Sequence, residues 1–259
     1  MRGFLIDLDG TMYAGNRPIE HAAAFIDKLK EEGSPYLFVT NNSSRRPEEV
    51  AAHLREVAGV EAAGRDVFTS AQAAARYIAD RKPGARVHFI GEAGLEHALR
   101  EAGLTVTERS PDFVVQGIDR AFDYAKLELA ARLIREGAAY VLTNPDHLLP
   151  SDDGPKPGAG SIAAAITTAA QQEPIIIGKP SPIIMGYAVE RLGLPASAIW
   201  AVGDNVRTDI GGGAAAGCRT ALVLTGLATA GNALAHIAAA GVRPDLICAD
   251  LLALHERLR

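Results

Sequence analysis

The chain is poor in cysteine, in aromatic residues and in net positive charge, and it has no long apolar run. Two cysteines among 259 residues, Cys218 and Cys248, make no disulfide framework. They read as small buried apolar side chains in a reducing cytosol. Aromatics supply only 5% of the residues, and the abundant Ala and Gly favour close packing of helices on a sheet. Trp200 and Tyr187 read as core. A formal net charge of −5 and a pI near 5.8 give no electrostatic footprint for a nucleic acid polymer or an anionic membrane. Any bound anion must therefore be held by a local site. No apolar stretch approaches the roughly 18–20 residues of a membrane span, and the N-terminus has no signal-peptide pattern. A cytoplasmic location is expected. The seven histidines show no metal-ligand spacing.

What is present is alternation. With 48% hydrophobic and 22% charged residues, the length permits one large domain or two modest ones. An opening strand is followed by helical spacing over Pro18–Glu32, a strand at Pro35–Thr40 and a helix over Glu48–Val57. A short strand then covers Val67–Thr69, and Ser70 is expected to cap a helix over Ala71–Ala79. Arg81-Lys82-Pro83-Gly84 is a breaker cluster. Beyond it strands at Val87–Ile90, Phe113–Gln116 and Ala139–Thr143 alternate with helices at Gly94–Ala102 and Tyr124–Glu136. A Pro- and Gly-rich loop spans Asn144–Gly160, before a helix at Ser161–Ala170 and a strand at Pro174–Ile177. From Lys179 the pattern shifts again: a helix from Ser181 to Leu192, a strand at Ile199–Val202 and a helix over about Ile210–Ala216. Thr220–Leu224 (strand), Asn232–Ala240 (helix) and Asp245–Cys248 (strand) follow. Such alternation implies parallel strands joined by right-handed crossovers.

Gly3-Phe4-Leu5-Ile6-Asp7-Leu8-Asp9-Gly10-Thr11 carries the first chemical signal. An apolar strand runs straight into two aspartates, and buried carboxylates are costly unless they meet a cation, a proton or several donors. Three further groups stand at predicted strand ends or just before a helix: Thr40-Asn41-Asn42, Lys179-Pro180, and Gly203-Asp204 with Asp209. Ligands of open α/β sheets bind outside those ends. The set suits phosphoryl transfer. A carboxylate attacking a phosphate dianion needs its repulsion cancelled, which a Mg²⁺ shared by both can do. Asp7 is then both nucleophile and metal ligand, Asp204 the second carboxylate, and Asp209 a holder of metal-bound water. Thr40 offers a hydroxyl and Asn41 a backbone N–H, Lys179 a point charge, and Asp9 a proton donor and acceptor.

These four groups, in order, resemble the motifs of the haloacid dehalogenase superfamily. The longer runs Thr40-Asn41-Asn42-Ser43, Thr143-Asn144-Pro145-Asp146, Pro157-Gly158-Ala159-Gly160, Ile177-Gly178-Lys179-Pro180-Ser181-Pro182 and Gly203-Asp204-Asn205-Val206-Arg207-Thr208-Asp209-Ile210 are similar to its NagD-like, class IIA phosphatases. The match covers essentially the full length. It implies an α/β fold: a Rossmann-like, doubly wound parallel core with an inserted α/β cap domain. The expected division is core over 1–82, cap over 83–178 and core again over 179–259. It also implies a Mg²⁺ site from the Asp7 side chain, the Asp9 backbone carbonyl and the Asp204 side chain, and a homodimer through the cap. Asp9 separates the chain from dehalogenase members, which lack it, but not from phosphomutases.

Against each functional reading stands a plain one. Asp209 could be a helix N-terminal residue favoured by the dipole, and Pro157–Gly160 reads best as a tight loop with a helix start. Asn42 at the core strand end, and Asp119, Asn144, Asp146 and His147 in the inserted domain, are candidates for substrate contact. The expected activity is Mg²⁺-dependent hydrolysis of a small phosphorylated metabolite, a phosphomonoester of sugar, nucleotide, pyridoxal or aryl type, through an aspartyl-phosphate. A phosphotransferase or phosphomutase, and a phosphate-sensing module without turnover, are the alternatives.

Overall fold

The computed structural model describes residues 1–149 and 154–259. The chain divides into two compact units, one of residues 1–40, 47–68 and 179–259, the other of residues 41–46 and 69–178.

The first unit is built on a six-stranded sheet in the order Leu246–Cys248, Arg219–Val223, Ile199–Gly203, Gly3–Ile6, Tyr36–Thr40, Val67–Thr69. The pairs from Leu246–Cys248 through Tyr36–Thr40 are parallel. Gly3–Ile6 and Ile199–Gly203 are buried at every position, as strands covered on both faces should be. On one face Phe4 and Ile6 meet Phe25, Ile26 and Leu29 of helix Ala22–Glu31 and Leu254 and Leu258 of helix Leu251–Leu258. Gly3–Ile6 lies between strands that leave in opposite directions along the sheet, so its boundary with Ile199–Gly203 is the topological switch point.

The second unit has its own five-stranded parallel sheet, in the order Ile175–Ile176, Ala139–Leu142, Phe113–Gln116, Arg86–Ile90, Thr105–Val106. Helices Tyr124–Arg135 and Ala159–Ala170 bury Ala131, Ile134, Ala163 and Ile166 against Val114, Tyr140 and Leu142 of that sheet. Both cysteines of the chain are buried free thiols in the first unit.

Several elements differ from the sequence reading. The division falls at 68/69 rather than 82/83, because helix Ser70–Arg81 packs on helix Ala93–Glu101 of the second unit. Segment 41–46 also groups there, and the first unit resumes at Lys179. The first helix starts at Ala22 and not at Pro18, since Arg17–Pro18 pairs antiparallel with Tyr13–Ala14. Thr69, not Ser70, caps the helix that follows: its side chain accepts the Gln72 N–H at 3.2 Å. A further helix, Leu251–Leu258, follows the last strand and is capped by Asp250. Tyr187 is half-buried, whereas Trp200 is core. Of the loop expected over Asn144–Gly160, residues 150–153 lie outside the described residues; Leu148–Leu149 pairs antiparallel with Lys156–Pro157, and a helix starts at Ala159. Among the described residues no helix is long and apolar enough to cross a membrane.

Candidate active site

The switch point gathers the charged residues of the first unit. Asp7 leaves the carboxyl end of Gly3–Ile6 with its N–H still bonded to the Val202 carbonyl at 2.9 Å. One strand over, Asp204 follows Ile199–Gly203. The chain then turns through Asn205, whose side chain accepts the N–H groups of Arg207 and Thr208. A π-helical turn, Val206–Ile210, leads into helix Gly211–Ala215 and carries Asp209 inward. The carboxylates of Asp7, Asp204 and Asp209 each place an oxygen within 4.8 Å of the others.

Lys179 enters this group from the residue before a cis peptide bond to Pro180. It is only 4% exposed. Its Nζ donates to Asp7 Oδ1 at 2.5 Å, to Asp209 Oδ1 at 2.8 Å and to the Val39 carbonyl at 3.0 Å. Burial works against the ammonium, but Asp209 and Asp7 outweigh it and hold the proton on. Burial raises the Asp7 carboxyl well above its ordinary range, and Asp209 and Asp204 add to the rise against the pull of Lys179. Burial and Asp209 likewise push Asp204 up to about 7, although the Leu227 N–H donates to it at 2.5 Å. Gly10 (φ +85°) and Gly226 pack so closely on the Asp204 carboxylate that a Cβ at either would overlap it.

Two buried carboxylates and a half-buried one against one ammonium leave a formal charge of −2 when all are ionised, and two of the carboxyls are held toward protonation. Oxygen donors in that arrangement fit a hard divalent cation, which prefers a few carboxylate or carbonyl ligands.

Thr40 ends strand Tyr36–Thr40 and is buried. Asp9 is exposed, three residues beyond the strand, and accepts the Gly15 N–H at 3.4 Å. Asp7, Asp9, Thr40, Lys179, Asp204 and Asp209 thus all belong to the first unit. Asn41, Asn42, Asp119, Asn144, Asp146 and His147 belong to the second. Asp119 is buried, and its carboxylate takes Lys126 Nζ at 2.7 Å and the Ala121 N–H at 2.9 Å. Asp146 accepts the side-chain amides of Asn41 and Asn144, each at 2.9 Å. Asn42 Oδ1 closes a turn onto the N–H groups of Ser44 and Arg45, and His147 is exposed. The sequence reading missed the Val39 carbonyl and the Thr225-Gly226-Leu227 loop, where Thr225 Oγ1 also donates to the Gly10 carbonyl at 2.7 Å. Gly226 beside an apolar strand end was the one visible signal for that loop.

A haloacid dehalogenase-like hydrolase model matches residues 4–105, and a second, HAD-hydrolase-like model matches residues 176–254. The chain belongs to the haloacid dehalogenase-like hydrolases. Its relatives include the 5'-nucleotidase YutF of Bacillus subtilis, 46% identical over 87% of this chain and 88% of that protein. Among solved structures, the p-nitrophenyl phosphatase from Archaeoglobus fulgidus has a TM-score of 0.94 at 36% identity, covering 99% of this chain and 98% of the other. A glycerol phosphate phosphatase from Mycobacterium tuberculosis, in complex with magnesium, has a TM-score of 0.91 at 42% identity, covering 98% of this chain and 77% of that one. This membership agrees with the resemblance drawn from the motifs, including its NagD-like branch.

Proposed function

We propose that the protein hydrolyses small phosphomonoesters with Asp7 as the nucleophile. The observation that carries the reading is the cluster at the switch point, where Asp7, Asp204 and Asp209 gather around one buried lysine that pairs with two of them, a formal charge of −2 when all three are ionised. A folded core has no use for that imbalance, and a site that binds a cation and then a phosphate does. The relatives, which differ in the substrate each is named for, support the phosphomonoester class and leave the individual ester open.

Asp7 and Asp204 would hold the cation through side-chain oxygens, with the Asp9 carbonyl as a third ligand and Asp209 beside them. When bound, Mg²⁺ supplies positive charge that keeps Asp7 ionised and offsets phosphate oxygens. Lys179 holds Asp7 Oδ1 by a direct bond, which fixes the orientation of the carboxylate. Asp7 forms a bond to phosphorus as the ester P–O bond breaks, and Asp9, exposed at the turn, delivers its proton to the departing alkoxide. Asp9 then takes a proton from the water that attacks the aspartyl-phosphate, and inorganic phosphate leaves with Asp7 regenerated. Thr40 and the Asn41 N–H are the expected donors to the transferring oxygens.

A panel of sugar, nucleotide, glycerol, pyridoxal and aryl phosphates, assayed with Mg²⁺ and with EDTA, tests this. Free phosphate released from at least one class, and lost with EDTA, is the expected result. An isomeric phosphate ester without free phosphate would instead mark a phosphomutase.

A further inference from the structure

We propose that Asp146 is a positioning residue, holding the Asn41 side chain and with it the segment that follows Thr40. The inference rests on the phosphatase reading and adds a residue to it that need not touch substrate. Asp146 Oδ2 accepts both the Asn41 and the Asn144 amides at 2.9 Å. Asn144 is 4% exposed and receives Thr143 Oγ1 on its own Oδ1 at 3.0 Å, so this side of the clamp is rigid. The Asn41 Oδ1 faces Gly178, where a Cβ would come to 2.6 Å from it. Ser70 Oγ donates to the Asn41 carbonyl at 2.7 Å. Further along, the Ser44 carbonyl accepts the Gly94 N–H at 3.0 Å. Every one of these partners lies in the second unit, which is why segment 41–46 groups with it.

A carboxylate suits this post better than an amide. Ionised, it only accepts, so two amide NH₂ groups can converge on it without ambiguity, and Asn41 is fixed with its nitrogen toward Asp146. As a direct contact for a phosphate ester the same carboxylate would repel, and the oxygen on which both amides converge is already engaged.

The test uses the full chain carrying Asp146→Ala, Asp146→Asn, Asn41→Ala and the Asn41→Ala/Asp146→Ala pair, with p-nitrophenyl phosphate and Mg²⁺. Asp146→Ala should lower kcat about tenfold with KM moved less than about threefold. Asp146→Asn keeps an acceptor oxygen and should recover most of that loss. The double variant should be no worse than Asn41→Ala, since Asp146 acts through Asn41. Losses that multiply, or a rise in KM alone, would make Asp146 a substrate contact and overturn the proposal. Asp146→Ser carries the same comparison if Asp146→Ala does not fold. The Asn41 side-chain amide resonance, shifted in Asp146→Ala and restored in Asp146→Asn, is read without turnover. It therefore separates failure of this inference, an unshifted resonance, from failure of the phosphatase reading, no hydrolysis by the wild type.

Discussion

The two units carry polar residues at the carboxyl ends of parallel strands in the same way, yet they treat charge differently. In the first unit three carboxylates crowd one lysine, and two of them are driven toward protonation. In the second, Asp119 meets Lys126 and a backbone N–H, and Asp146 meets two amides. One topology thus serves two purposes. Where charge is left unbalanced the strand ends are prepared for a ligand, and where each carboxylate is matched they hold the backbone.

The largest effect should follow from the unbalanced side. Asp7→Asn keeps the shape and the Lys179 partner but removes the nucleophile, so kcat should fall by at least about 10³-fold. The same change relieves repulsion with Asp209 and Asp204, so the variant should melt higher than the wild type at neutral pH without divalent cation. A variant that loses activity and stability together would break the contrast between the units.

Asp204 sharpens it through pH. Its folded value of about 7 lies above the ordinary 3.8, so the folded state binds the extra proton between those values. The stability this contributes is full below pH ~4 and is lost as pH rises through about 7. Without divalent cation the melting temperature should therefore fall from pH 4 to 7 by more in the wild type than in Asp204→Asn. Thermal scans at several pH values, repeated with Mg²⁺, check this; equal slopes in the two proteins would count against an unbalanced cluster.

On the matched side, Lys126→Met leaves the Asp119 carboxylate, 5% exposed, without its cation. The cost should be about 1–3 kcal/mol, below that of a fully buried pair because Lys126 is itself 39% exposed. Denaturant unfolding measures it. Hydrolysis of a small aryl phosphate at saturation should be unchanged, and a large fall in kcat would return Asp119 to the substrate contacts.

Much of the first unit was legible because its signals are local. The apolar run into Asp7, the Thr40 strand end and Gly203-Asp204 mark strand ends by composition alone, and parallel topology then brings them together. Lys179 was legible for a different reason: a cation wedged between Gly178 and Pro180 after an apolar run has little room to reach solvent. Asp209 was harder. A helix N-terminal residue favoured by the dipole is its plain alternative, and only the π-helical turn, which begins four residues before the expected helix, buries it at 3% exposure against Lys179. Domain limits were least legible. Breakers such as Pro83-Gly84 mark where the backbone turns, whereas the units are defined by which helix packs on which, and Ser70–Arg81 chose its partner by side-chain burial.

Thr69 and Ser70 give the smallest effect and a pointed one. Either hydroxyl could have capped the helix, and sequence alone favoured the residue nearer its start. The pair Thr69 and Gln72 decides otherwise: Thr69 Oγ1 accepts the Gln72 N–H at 3.2 Å while Gln72 Oε1 accepts the Thr69 N–H at 3.1 Å. That reciprocal spacing is a capping box, written in the sequence as Thr-x-x-Gln. It leaves Ser70 Oγ free to bond the Asn41 carbonyl instead. Thr69→Ala should therefore cost about 1 kcal/mol of stability with kcat little changed. Ser70→Ala should cost no more in stability but should show in kcat, because its bond holds the segment beyond Thr40. Equal kinetic behaviour of the two variants would mean that segment 41–46 does not depend on its bond to Ser70 for its conformation.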